Sequence, residues 1–268
     1  MNAASTGLAR AIARQFSILR VGLMFLTRLP VGRLDDYQPE GSVRSLIYFP
    51  WIGALVGLIG ATVAWLCFGH LSAWLAMLAV LLASVLVTGA LHEDALADAA
   101  DGLFGGRTPA RRLEIMKDSR IGAYGVLALM FSFGARWVCL HDLALHDFPR
   151  LLCLLVAAPA LARTSSVALL YALPYVRSEE AKGGAFAGAT RGAVTGTLLA
   201  SAGIAIVLLG LPLGLICLLV LAGITPLAGL YFHRQIGGVS GDCLGAAIQL
   251  VELGCYLAVT AITVPSTS

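Results

Sequence analysis

Charge is scarce in this chain: Asp, Glu, Lys and Arg together make up 12% of its 268 residues, about half the share of an ordinary soluble domain. Hydrophobic residues make up 59% and the mean hydropathy is +0.87, which excludes a water-soluble globular fold. The net charge of only +3 provides no basic field for a nucleic-acid partner, and none is expected. The six cysteines include no Cys-x-x-Cys pair and no histidine at metal-ligand spacing, so they read as packing residues rather than a zinc or redox site. No repeat of fixed period and no linker longer than a loop divides the chain. Residues 1–268 are therefore expected to form one integral membrane domain. Near Arg10, Arg14 and Arg20 no apolar core leads to a small-residue cleavage site, so the first segment is expected to stay attached.

Long apolar runs are what the chain does have. A helix that crosses the hydrocarbon core needs about 20 such residues, and stretches near 46–68, 73–93, 121–141, 151–173, 194–210, 212–232 and 242–263 supply them. These predict an all-α, polytopic bundle of about seven spans, with the run between Val194 and Phe232 divided at Leu211 and Pro212 because proline breaks a helix interior. Positive charge clusters at Arg10 to Arg33, at Arg107 to Arg120 and at Arg177 to Arg191, and the alternate connections carry one Arg between them. By the positive-inside rule those three clusters face the cytoplasm, which puts the N-terminus inside and the C-terminus outside. Leu8, Ile12, Phe16, Leu19, Leu23 and Leu26 recur at helical spacing with arginines between them, so residues 1–30 are expected to form an amphipathic helix lying along the headgroups.

The few acids are not scattered. His92-Glu93-Asp94-Ala95-Leu96-Ala97-Asp98-Ala99-Ala100-Asp101-Gly102 follows the second expected span. On a helix, Asp94, Asp98 and Asp101 fall within an arc of roughly 60°. Like charges so arranged destabilise a helix unless a cation offsets them, and oxygen ligands favour magnesium, manganese or calcium. The next polar stretch contains Lys117, Asp118, Ser119 and Arg120 in succession, cationic and hydroxyl donors suited to phosphate beside a further acid. Gly237-Gly238-Val239-Ser240-Gly241-Asp242 opens the last expected span, with Glu252 ten residues later. Asp242 reads equally as a helix cap and as an anion at a ligand site. Arg136 and Arg163 lie inside apolar spans, where each requires a partner; Arg163 is the better candidate for a substrate phosphate.

These strings resemble the cobalamin synthase family, the adenosylcobinamide-GDP ribazoletransferases. The resemblance is carried by His92 to Gly102, Leu113 to Arg120 and Gly237 to Ala246, with Phe25 to Val31 and Tyr48 to Gly53 earlier, and runs from about residue 24 to 255. The family usually has Gly where this chain has Ala95 and often Glu where it has Gln249, which leaves Glu252 as the acid to expect in the last span. The resemblance implies transfer of phosphocobinamide from adenosylcobinamide-GDP to α-ribazole or its 5′-phosphate, with release of GMP and a requirement for Mg²⁺. Attack is expected from the ribose 5′-hydroxyl. Asp94, Asp98 and Asp101, with Asp242 and Glu252, are then the expected magnesium ligands. Lys117, Ser119, Arg120, Arg163 and Arg28 are the expected phosphate-binding residues, and Asp101 or Asp118 the expected catalytic base. The implied setting is a bacterial inner membrane with the active site on the cytoplasmic side and other enzymes of the pathway as candidate partners. A phospholipid-forming CDP-alcohol phosphotransferase and a cation-coupled transporter are the rival readings. The chain lacks the full signature of the first and the internal symmetry expected of the second.

Overall fold

The computed structural model describes residues 3–32, 39–176 and 186–265; Arg33, Arg177 and Lys182 of the basic clusters lie outside them. The described residues form ten α-helices, one 3-10 turn at Leu46–Tyr48 and two isolated β-bridges. The helices are α1 (Ala3–Leu26), α2 (Pro39–Ser45), α3 (Phe49–Cys67), α4 (Ala73–Thr88), α5 (Leu91–Gly105), α6 (Pro109–Ile115), α7 (Ala123–His146), α8 (Phe148–Ala172), α9 (Arg191–Ile236) and α10 (Gly241–Thr263). Five segments are long and apolar enough to cross a membrane, or six when α4 and α5 count as one bent span. The all-α polytopic bundle expected from the runs of apolar residues is the observed architecture.

Two boundaries differ from expectation. The span expected over 73–93 ends at Thr88, where Gly89 (φ 65°) and Ala90 (φ 57°) both take left-handed conformations, and α5 leaves at 88° to α4. Ala90 is the one non-glycine residue with positive φ among the described residues; left-handed backbone costs an ordinary side chain roughly 1–2 kcal/mol. The turn therefore puts the acidic string on a separate helix, not on the end of a straight span. The long run is in turn divided at Gly210 (φ 77°, ψ 165°), two residues before Pro212, in a backbone region open essentially to glycine alone. A Cβ on Gly214 would touch Ile206 Cα, eight residues earlier and about 12 Å away along a straight helix. The two arms of α9 thus fold back as a hairpin, and both of its outer ends meet the same end of α8. Thr164 Oγ1 donates to the Thr197 carbonyl at 3.4 Å, while Gly229 packs on Leu169 and Leu173.

Helix α8 is the hub, buried along most of its length between α3, α9 and α10. Its closest neighbour is α3: a Cβ on Gly53 would strike the Pro159 carbonyl and one on Gly57 the Leu155 carbonyl. Proline at 159 removes the N–H that would engage the Leu155 carbonyl, so that oxygen projects into the room left by Gly57. Small residues that admit a facing backbone are the usual device for helix association in lipid. Apolar side chains such as Leu86, Phe131, Leu199, Val207 and Leu219 are exposed around the outside, an apolar surface of the extent that acyl chains cover. In α1, Ile12 and Phe16 are also exposed while Ile18, Gly22 and Leu26 are buried.

The α6 turn, the outer ends of α9 and the start of α10 gather at one end, where Arg112 donates to the Gln235 carbonyl at 2.8 Å and Val239 bridges Pro174 and Val176. At the opposite end Phe68 stacks on Phe148 at 4.2 Å, and Arg150 reaches Thr263 at 3.5 Å. Gly57→Leu should drive α3 off α8 and lower stability by at least about 1–3 kcal/mol, read as a fall in melting temperature in detergent. Gly203→Ala, in open space on α9, should leave it unchanged or slightly raised.

Candidate functional site

The acidic helix begins at the bend. Arg28 donates its backbone N–H to the Val87 carbonyl at 2.7 Å, and its side chain lies across Gly89, where any Cβ would collide with it. Glu93 and Asp94 fall in the first turn of α5, where negative charge suits the exposed N–H groups of the helix start. His92, Glu93 and Asp101 are buried, Asp98 is half-buried and Asp94 is exposed.

Helix α10 closes against α5 because a Cβ on Gly245 would overlap that of Ala95. The cap of α10 is Ser240, whose hydroxyl accepts from the Cys243 N–H at 3.3 Å. The capping role that the sequence allowed Asp242 is thus filled by Ser240. Asp242 faces, with Asp94, a cavity of about 270 Å³ at the end of the bundle. His92, Ser166 and Tyr175 complete its polar flank, and Phe25, Phe49 and Phe186 line an apolar one.

Beside the cavity runs a buried layer of charge. Arg136 is paired with Glu93 at 3.5 Å and Arg163 with Glu252 at 3.4 Å, with all four side chains at most 8% exposed. Gln249 donates to Glu93 at 3.0 Å, and the Tyr256 hydroxyl donates to Glu252 at 3.3 Å. Arg163 also donates to the Pro159 carbonyl at 3.0 Å. Four helices, α5, α7, α8 and α10, are tied together by these contacts. Arg163 and Glu252, expected at phosphate and metal, are thus placed on each other.

Three other expected residues, Asp101, Asp118 and Arg120, line a second, open hollow together with Tyr124. Asp101 accepts from the backbone N–H groups of Gly122 at 2.7 Å and Gly125 at 2.9 Å, capping the start of α7 from a different helix. A Cβ on either glycine would lie against that carboxylate and force it to shift. Arg120 grips Asp118 through Nε at 3.0 Å and Nη2 at 2.7 Å, and these bonds lower the Asp118 carboxyl to about 2. A carboxylate this acidic is a weak proton acceptor near neutrality. Lys117 and Ser119 are exposed on the adjoining turn.

Among the described residues no three of His, Cys, Asp and Glu come close enough to hold a metal ion by themselves. Two carboxylates from different helices nevertheless face the cavity, and magnesium typically takes one or two carboxylates with substrate phosphates completing its shell. The donor set fits an ion that arrives with a phosphorylated substrate. Sequence reasoning missed His92 and the three phenylalanines of the cavity. Phe25 and Phe49 stand in the two early strings that carry the family resemblance, which is the signal that pointed to them.

Fold and site together define a polytopic helical membrane protein with an acidic, aromatic-walled pocket at one end. Residues 18–260 match the profile of the cobalamin-5-phosphate synthase family, and the chain belongs to that family. It is 37% identical over 245 residues to an adenosylcobinamide-GDP ribazoletransferase of Shewanella baltica (strain OS195), covering 91% of this chain and 93% of that one. It is 37% identical over 250 residues to the protein of the same name from Shewanella frigidimarina, covering 93% and 96%. No solved structure matches it.

Asp101→Ala should cost about 1–3 kcal/mol through the two unmet N–H groups of α7, read as a lowered melting temperature, while Asp94→Asn, on an exposed side chain, should leave stability unchanged.

Proposed function

We propose that this chain catalyses the closing step of cobalamin assembly. The phosphocobinamide group of adenosylcobinamide-GDP passes to α-ribazole or α-ribazole 5′-phosphate, with release of GMP. The observation that carries this reading is the pair Asp94 and Asp242, delivered by two helices to one nucleoside-sized cavity in a chain of this family. In the transfer a ribose oxygen bonds to the cobinamide-linked phosphorus and the P–O bond to GMP breaks. The hydroxyl loses its proton and GMP leaves with the electron pair. The attacking oxygen expected from the sequence was the 5′ one. The family's product, cobalamin 5-phosphate, retains a phosphate at that position, so the nucleophile is a secondary ribose hydroxyl.

Asp94 and Asp242 are the residues that would hold Mg²⁺, which when bound neutralises charge building on the phosphoryl oxygens. Asp98 lies one turn along α5 from Asp94 and is half-buried. Arg28, Lys117 and Arg120, all exposed at the cavity end of the bundle, supply positive charge for the diphosphate. Asp101 and the Arg163–Glu252 pair act by holding helices in register. On this reading the chain sits in a bacterial inner membrane with this end in the cytoplasm, which the clustering of Lys and Arg supports.

The test is purified protein in detergent or bilayer with adenosylcobinamide-GDP, α-ribazole and Mg²⁺, following GMP and the corrinoid product together. Asp94→Asn and Asp242→Asn should each lower turnover by at least about 100-fold, and a chelator should stop it. Asp147→Asn, at the opposite end where its carboxylate pairs with Arg150 at 2.9 Å, should have no effect. GMP release without corrinoid product, or turnover indifferent to chelator, refutes the assignment. Orientation is tested in a cysteine-free background. Lys117→Cys should react with an impermeant maleimide only in inside-out vesicles, and His70→Cys only in intact cells with the outer membrane permeabilised.

A further inference from the structure

The apolar flank of the cavity has no part in holding phosphate or metal. It is built from three sequence-distant places: Phe25 in the last turn of α1, Phe49 at the start of α3 and Phe186 shortly before α9. Their rings form a cluster, with Phe25 and Phe186 centroids 4.2 Å apart, Phe49 and Phe186 5.7 Å, and Phe25 and Phe49 6.3 Å. Leu170 belongs to the same apolar cluster and also lines the cavity, whereas the carboxylates come from α5 and α10.

We propose that this aromatic flank binds the planar base of the acceptor nucleoside and thereby directs its ribose toward Asp94 and Asp242. The inference rests on the reaction assigned above and specifies which substrate fills the cavity. Size comes first. A volume of about 270 Å³ lies near the lower limit of roughly 300–1,000 Å³ for small-ligand pockets, so it admits a nucleoside and leaves a corrin macrocycle outside. Polarity then separates the two nucleosides of the reaction. Guanine presents acceptors at N7 and O6 and a donor at N2, and burying these against phenyl rings and aliphatic chains leaves hydrogen bonds unmet. A benzimidazole has an almost wholly apolar ring system that gains from aromatic contact.

Steady-state kinetics with both substrates varied test this, using Phe25→Leu and Phe186→Leu, which keep apolar volume but lose the ring. Phe186→Trp serves as the ring-retaining control, and melting temperature checks the fold. Each Leu variant should raise the KM for α-ribazole by about ten-fold and leave the KM for adenosylcobinamide-GDP within two-fold, with Phe186→Trp near wild type. Titration of α-ribazole alone, followed by its intrinsic fluorescence, should show the same weakening. An unchanged KM for α-ribazole in folded variants, or a rise confined to adenosylcobinamide-GDP, overturns the proposal. Failure of the wild-type protein to form corrinoid product would instead sink the reaction itself.

Discussion

Charge buried among helices that lie in lipid has to be neutralised within the bundle, because no water is at hand to solvate it. Glu93, Arg136, Arg163 and Glu252 meet that requirement as two ion pairs, and the partners they need determine which helices must touch. Stranding one member of such a pair typically costs about 3–5 kcal/mol. Glu93 and Gln249 join α5 to α10, Arg136 brings in α7, and Arg163 with Glu252 joins α8 to α10. The acids that face the cavity are carried on two of these same helices, so their placement follows from the neutralisation of charge beside them.

The bend at Gly89 and Ala90 gives that arrangement its second ingredient. A straight continuation of α4 would carry the acidic string along the bundle axis. The 88° turn instead lays α5 across the end, so Asp94 reaches one hollow and Asp101, two turns further on, reaches another. Residues that share a stripe on one helix thus serve separate tasks: one faces substrate-sized space, the other caps a helix.

The bundle was legible because apolar run length is a direct consequence of bilayer thickness, and the break near Pro212 because proline and glycine act locally. The bend before α5 was not, since Gly89 inside an apolar run reads as an ordinary small residue and Ala90 gives no sign of left-handed backbone. At the site, Asp94 and Asp242, which the sequence reading grouped together, line one cavity. What the sequence could not convey was competition. Asp101 is within reach of two backbone N–H groups, and Glu252 of Arg163. Which of several acids is engaged by the protein itself depends on contacts between residues 21 to 89 positions apart.

The approach of α5 to α10 comes down to Ala95 lying on Gly245, a methyl group against a hydrogen. The gap separating the two acid-bearing helices is therefore gauged by the thinnest spacer that side-chain chemistry offers. A relative with glycine at the first of these positions would have its helices free to draw nearer, so the calibre of the mouth can drift across homologues through exchange of one carbon atom, with every acid left in place.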